Sequence, residues 1–253
     1  MSDIYRIAGV QMDVAFADKA ANLERIERRF AEATDGGAFL TVFPECVLTG
    51  YCFDSYEEAW PYAEPIPGPS TDRLTELCHQ HGAYLVAGML EADGERLFNA
   101  CVLVGPQGLV GVYRKVHLPG LGVDHFTHPG DRPFEVWTID DLRVGMNICY
   151  DGSFPEASRV MALAGADLIV LPTNWPPPAR SFAEHVINAR AMESNVYYLS
   201  ANRIGEERGF EFIGTSRLCD PFGGTMAELP PGAEGVFYGD VRPDLARTKR
   251  LIR

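Results

Sequence analysis

The sequence predicts an α/β fold, a sheet with helices packed on it, and places residues 1–253 in one domain. Three observations carry that reading. Residues 143–200 alternate as strand, helix, strand, helix and strand, the rhythm of helices covering a sheet. Residues 4–33 open the chain with the same strand-then-helix step. With 253 residues and 46% hydrophobic content the chain can bury a large core, and neither an internal repeat nor a clean boundary divides it.

In order along the chain, residues 4–12 alternate Ile4, Ile7 and Val10 with small and polar residues and read as a first strand. Residues 22–33 carry Leu23, Ile26 and Phe30 at helical spacing, with Glu24, Arg25, Glu27, Arg28 and Arg29 on the opposite face. Residues 38–43 form a short apolar strand that stops at Pro44, so Glu45 sits at a strand end. Residues 49–69, rich in Gly, Pro, Tyr and acidic side chains, make a loop too long for a simple connector and suited to walling a pocket. Ser70 is placed to cap a helix whose apolar stripe is Leu74, Leu77 and Cys78. Residues 84–90 read as a strand, Asp93-Gly94 as a hairpin turn, and 97–104 with 109–116 as an antiparallel pair that ends at Lys115. After an irregular stretch, 134–139 is a short strand. Residues 143–148 form a buried strand that ends at Cys149, just where the turn residues Asp151, Gly152 and Ser153 begin and a helix over 155–164 follows. A strand at 168–171, a helix at 182–195 and a strand at 196–200 complete the alternation, and 210–241 reads as short strands with turns at its glycines and Pro221.

Charge narrows the partners. Lys+Arg 22 against Asp+Glu 35 gives a formal charge of -13, and the one basic run is the short tail at 247–253, so nucleic acid and anionic membrane are not expected partners. The start, Met1-Ser2-Asp3-Ile4, has neither the basic nor the apolar region of a signal peptide, and no apolar run approaches the ~18 residues of a membrane span. The expectation is a soluble cytoplasmic protein. Six cysteines (Cys46, Cys52, Cys78, Cys101, Cys149 and Cys219) without a Cys-x-x-Cys pair read as reduced thiols. The histidines, including His79, His81, His117, His125 and His128, show no zinc spacing, so no metal is expected.

Three polar residues, Glu45, Lys115 and Cys149, each end an expected strand. Sites in α/β sheets form at strand ends, so the three can converge although they lie far apart in sequence. A cysteine at a strand-to-helix corner meets converging backbone N–H groups that can stabilise a thiolate or an oxyanion; the competing role is a packed core thiol. Lys115 stands out because only three of the 22 basic residues are lysines (Lys19, Lys115 and Lys249), which suggests a need for a compact ammonium; the competing role is a solvated edge-strand lysine. Glu45 could equally be a turn residue. As chemistry the trio is coherent, since a thiol of ordinary pKa ~8.5 needs a base and a positive neighbour to attack at neutral pH. A Cys-His arrangement with His117 or His185 stays open. No Gly-x-Ser-x-Gly elbow, Walker loop or Gly-x-Gly-x-x-Gly fingerprint occurs.

Phe43-Pro44-Glu45, Tyr113-Arg114-Lys115-Val116-His117-Leu118 and Asn147-Ile148-Cys149-Tyr150-Asp151, in this order, resemble the three catalytic blocks of the nitrilase superfamily of carbon–nitrogen hydrolases. Pro129-Gly130-Asp131, Leu171-Pro172-Thr173-Asn174-Trp175 and Arg190-Ala191-Met192-Glu193-Ser194-Asn195 extend the likeness over nearly the whole chain. The resemblance implies a four-layer α-β-β-α sandwich of the carbon–nitrogen hydrolase type, commonly paired across a helical face as a homodimer. It implies Glu45 as general base, Cys149 as nucleophile forming a thioester, and Lys115 with the Tyr150 backbone N–H as stabilisers of the oxyanion. No cofactor is implied. The implied substrate is a small linear carboxamide or N-carbamoyl compound, with nitrile hydrolysis by the same residues, or a non-catalytic member retaining the fold, as alternatives.

The chain departs from the family pattern at one place. Many members carry a second glutamate roughly eight residues after the lysine, where this chain has Val123 and then Asp124. Asp124 is expected to stand in from one position over, with a shorter reach. Asn174 and Trp175 follow a strand and would lie near the site in the family. Tyr51, Phe53, Tyr56 and Trp60 either line a small apolar pocket or pack their own loop.

Overall fold

The computed structural model describes residues 4–249. Residues 1–3, the start of the chain, and 250–253, the end of the basic tail, lie outside the described residues.

The first half of the chain supplies β1 (Tyr5–Gln11), α1 (Lys19–Asp35), β2 (Leu40–Val42), α2 (Tyr56–Ala59), α3 (Pro69–His81), β3 (Tyr84–Asp93), β4 (Arg96–Gly105) and β5 (Gly108–Arg114). The second half supplies β6 (Val136–Ile139), β7 (Leu142–Met146), α4 (Pro155–Leu163), β8 (Leu168–Thr173), α5 (Ile187–Ser194) and β9 (Tyr197–Asn202). It closes with β10 (Ile204–Glu207), β11 (Phe210–Ile213), β12 (Arg217–Cys219), β13 (Thr225–Glu228), β14 (Gly235–Val241) and α6 (Pro243–Arg247).

Two six-stranded sheets result, ordered β14-β1-β2-β3-β4-β5 and β13-β12-β9-β8-β7-β6, with β10-β11 as a separate hairpin. Each sheet has a parallel centre, β1-β2-β3 in one and β7-β8-β9 in the other, flanked by antiparallel strands. The two-residue period of a strand explains how the layers stack. Val86, Cys101 and Leu103 point into a core shared with Met146, Leu168 and Val170 of the opposite sheet. Their neighbours Leu85, Ala87, Val102 and Val104 point the other way, onto Ile26 and Phe30 of α1 and Leu74 and Leu77 of α3. Helices α4 and α5 cover the second sheet through Met161, Ala162, Ile187 and Ala191. The architecture is a four-layer α-β-β-α sandwich. Strands buried on both faces read as continuous apolar runs, as 97–104 and 168–171 do.

Several boundaries differ from the sequence reading for local physical reasons. Helix α1 starts at Lys19 because the Asp18 side chain caps it, accepting from the Ala21 N–H at 3.0 Å. Ser70 does not cap α3: Gly68 is the N-cap and Pro69 takes the first helical position, where its missing N–H costs nothing. Ser70 is instead tied by its hydroxyl and N–H to the Glu64 carboxylate. The expected helix at 182–195 begins as a wider π turn, Phe182–Val186, before α5. The hairpin strand β10 and the short helices α2 and α6 were not expected from the pattern.

Candidate active site

Glu45 lies three residues beyond β2, Lys115 immediately beyond β5 and Cys149 three residues beyond β7. The fold brings all three to one buried cluster. The Lys115 ammonium donates to Glu45 Oε1 at 2.7 Å and to Asp124 Oδ2 at 2.5 Å, and all three side chains are sealed from solvent. Lys115 is therefore not a solvated edge residue, although β5 is an edge strand.

Asn99, on β4, completes the cluster. Its amide donates to Glu45 Oε1 at 2.7 Å and to Asp124 Oδ1 at 3.0 Å. Tyr51 donates its hydroxyl to Asp124 Oδ2 at 2.7 Å. Three of the four carboxylate oxygens are thus engaged, and Glu45 Oε2 alone is buried with no partner. Asp124 reaches Lys115 despite its short side chain because its loop is pinned against Tyr51. The Val123 N–H donates to the Tyr51 carbonyl at 2.9 Å, and Gly122, at φ +53°, has no room for a Cβ, which would stand 2.6 Å from the Tyr51 ring. Glu45 is seated by a similar contact: a Cβ on Gly88 would lie 2.4 Å from the Cys46 nitrogen and 2.7 Å from the Glu45 Cα.

Cys149 opens a 3-10 turn, Cys149–Ser153, with its backbone at φ +45°, a left-handed conformation that costs a non-glycine residue energy. Asp151 holds the corner in place. Its carboxylate accepts from the Ile148 N–H at 3.0 Å, the Tyr113 hydroxyl at 2.8 Å and the His117 N–H at 2.9 Å, with the His117 ring nitrogen at 2.8 Å. Arg190 binds the Gly152 and Ser153 carbonyls at 3.0 and 2.8 Å. The second N–H of the turn, that of Tyr150, meets no backbone acceptor among the described residues.

Electrostatics follow from burial. Desolvation pushes the Cys149 thiol up to about 12, the Glu45 charge adds to this, and the Lys115 ammonium, the Thr173 hydroxyl and the Asn174 N–H oppose it. The Glu45 carboxyl is raised above its ordinary value by desolvation and by the Asp124 charge, against the pull of Lys115 and Asn99. Burial alone would discharge Lys115, but Asp124 and Glu45 outweigh it and hold the ammonium well above its usual range. At rest the thiol is neutral and the Lys115 ammonium is paired with Glu45 and Asp124.

A cavity of about 250 Å³ opens onto the sulfur, lined by Tyr51, Tyr150, Asn174, Trp175 and Phe182 among others. Trp175 is fixed by its backbone, which donates to the Asn202 side chain at 2.8 Å. Of the four loop aromatics only Tyr51 lines this cavity; Phe53 packs on Phe16 and Tyr62, and Tyr56 on Trp60. Neither His117, stacked on Phe154 at 3.9 Å, nor the exposed His185 lines it. Asn99, Asp151, Gly88 and the Arg203–Glu207 pair, whose carboxylate holds the Tyr51 and Cys52 N–H groups, were missed by sequence reasoning. A lone asparagine in the apolar run 97–104 was a usable signal, since a buried amide demands partners.

The sequence profile of the carbon-nitrogen hydrolase family matches residues 6–250. A protein named nitrilase from Pyrococcus abyssi is 38% identical over 97% of this chain and 93% of its own length. The human omega-amidase NIT2 is 30% identical over 94% of this chain and 88% of its own. Among solved structures, an amidase from Nesterenkonia sp. superposes with a TM-score of 0.84 at 28% identity, covering 97% of this chain and 93% of that one. A variant of that enzyme carries acrylamide added to its active-site cysteine, at 27% identity, with a TM-score of 0.84 and coverage of 97% and 96%.

Proposed function

The chain belongs to the carbon–nitrogen hydrolase family as an amidase-like member of the nitrilase superfamily, and on that premise we propose that it hydrolyses a small linear carboxamide or N-carbamoyl compound through a thioester on Cys149. It is a hydrolase of non-peptide carbon–nitrogen bonds. The observation that carries the assignment of roles is the single unpartnered carboxylate oxygen, Glu45 Oε2, buried in the cluster whose charges act on the Cys149 sulfur.

In this mechanism Glu45 takes the thiol proton as the sulfur attacks the substrate carbonyl carbon. The developing oxyanion is held by the Tyr150 N–H and the Lys115 ammonium, both fixed before substrate arrives. Collapse breaks the C–N bond, Glu45 returns the proton to nitrogen, and ammonia or an amine leaves. Glu45 then takes a proton from water, the hydroxide attacks the thioester, the C–S bond breaks, and the acid departs as Cys149 regains its proton. Asp124 and Tyr51 orient the ammonium, and Asn174, whose amide is buried without a partner, and Trp175 position the substrate.

Nitrile hydrolysis by the same residues is the second reading, favoured by the name of the Pyrococcus abyssi relative. We also propose a homodimer paired through the outer helical layer, where Val160 and Leu163 of α4 and Met192 of α5 are large apolar side chains left exposed. A reducing, cytoplasmic setting suits a reaction that needs the Cys149 thiol; all six cysteines are free.

Intact mass spectrometry after mixing with paired amides, carbamoyl compounds and nitriles tests the proposal. The expected result is a transient mass gain that maps to Cys149, together with ammonia release. Turnover that survives Cys149→Ala would remove the covalent mechanism.

A further inference from the structure

The cavity over Cys149 carries information about the charge of its substrate. Its wall is built from Pro119, Leu121, Trp175, Pro178, Ala179 and Phe182, and no Lys, Arg or His side chain lines it among the described residues. Of its lining side chains, only Asn174, 2% exposed, has buried polar atoms without a hydrogen bond, both its amide nitrogen and its amide oxygen; the Tyr51 hydroxyl is spent on Asp124. The cations on the surrounding elements are already engaged: Lys115 by two carboxylates, Arg190 by the Gly152 and Ser153 carbonyls and Glu193, and Arg180, beside Ala179, by Glu184 at 3.6 Å. Through Leu121, Pro176 and Pro178 the cavity continues into an outer hollow whose sole charged lining residue is Glu211. The whole chain carries a formal charge of -13.

We infer that this site selects uncharged amides with a compact apolar acyl group and rejects those whose acyl group bears a carboxylate. The inference rests on the hydrolase reading above and names its substrate class. A carboxylate drawn into this cavity would lose its water, find no cation, and lie near the Glu45 charge; a buried charge without a partner is strongly disfavoured. A branched alkyl group of the same shape meets only apolar wall, while the substrate amide offers the donor and acceptor that Asn174 lacks.

The test compares 4-methylpentanamide with succinamate, which match in chain length and differ by an isopropyl group in place of the carboxylate. The neutral amide is expected to show a kcat/KM higher by about 1000-fold or more. Succinamate turned over within about tenfold of it would overturn the inference while leaving the hydrolase reading intact. Ala179→Arg, at a half-buried position of the wall, is expected to raise kcat/KM for succinamate relative to the neutral amide by at least about tenfold, and Leu121→Arg repeats the measurement at a second position. If neither amide acylates Cys149, the hydrolase reading falls, and binding to Cys149→Ala still decides the charge preference. There 4-methylpentanamide is expected to bind at least about 100-fold more tightly than succinamate, and equal affinity, or binding of neither, overturns the inference.

Discussion

Removing Asn99 separates positioning of the base from the base itself. The Asn99 amide donates to Glu45 Oε1 at 2.7 Å and to Asp124 Oδ1 at 3.0 Å, both wholly buried. Asn99→Leu keeps the side-chain volume and deletes both bonds. Hydrogen bonds to charged groups contribute about 1.5–3 kcal/mol each, so losing the one to Glu45 should lower kcat/KM by about 10- to 150-fold at neutral pH. The pH profile gives a sharper readout. The Asn99 bond holds the Glu45 carboxyl down, against the burial that raises it. Without that bond the carboxyl is held higher still. A general base works only when deprotonated, so the acid limb of kcat/KM must move to higher pH, and more activity must be recovered on raising the pH than in the wild type. Loss of both bonds should also cost about 3–5 kcal/mol of stability, measured by urea titration. Ammonia release across pH, on protein shown to be folded, is the assay. An acid limb that stays in place or moves down refutes the reasoning, because Asn99 would then not be bonded to the working form of Glu45.

Glu45→Gln should reduce turnover by about 1000-fold or more, since it removes the cluster's one unpartnered carboxylate oxygen while Lys115 and Asn99 contact the other oxygen position; steady-state ammonia release checks it. In Gly88→Ala the new methyl would collide with the Glu45 and Cys46 backbone, and kcat should fall by about 100-fold with KM changing far less, because the cavity wall is untouched. Asp151→Asn cannot accept on both of its terminal atoms, so the Cys149 corner should loosen, with a loss of about 3–5 kcal/mol in urea unfolding and a slower alkylation of Cys149 followed by intact mass.

What could be read in the sequence divides along a physical line. Residues 143–200 declared their architecture because the apolar period changes from strand to helix and back, and Glu45, Lys115 and Cys149 stood out because each interrupts an apolar run with a group that has chemistry to offer. Asn99 and Gly88 do the opposite work. They accept the strand pattern and matter for what lies across the sheet, and that depends on how far the next loop falls. Asn99 faces Glu45 from 54 positions away, and no local pattern records such a distance. Gly88 signals only that some backbone approaches closely. Asp151 read as a turn residue, and it is one, but its carboxylate also collects donors from β5 and the His117 segment, which a turn signal does not reveal. Ser70 misled because capping propensity was read without the Gly68-Pro69 pair, which fixes the helix start by backbone geometry instead.

The buried cluster also explains why an aspartate serves at position 124. A lone Glu45 facing Lys115 would be a tight ion pair, its carboxylate stabilised and therefore a poor base. Asp124 takes the same ammonium from a second side and adds its own charge, which raises Glu45 rather than lowering it. The cluster then holds two carboxylates against one ammonium, and the nearby thiol stays protonated at rest, pushed up to about 12 by burial first and by the Glu45 charge second. No thiolate is stored. Proton transfer from Cys149 to Glu45 becomes favourable only when the sulfur is committing its electron pair to a carbonyl carbon and the charge moves onto an oxygen beside the Tyr150 N–H and Lys115. The second carboxylate need only reach the ammonium without competing for the thiol. A shorter side chain, on a loop that Gly122 and Tyr51 hold close, meets both conditions.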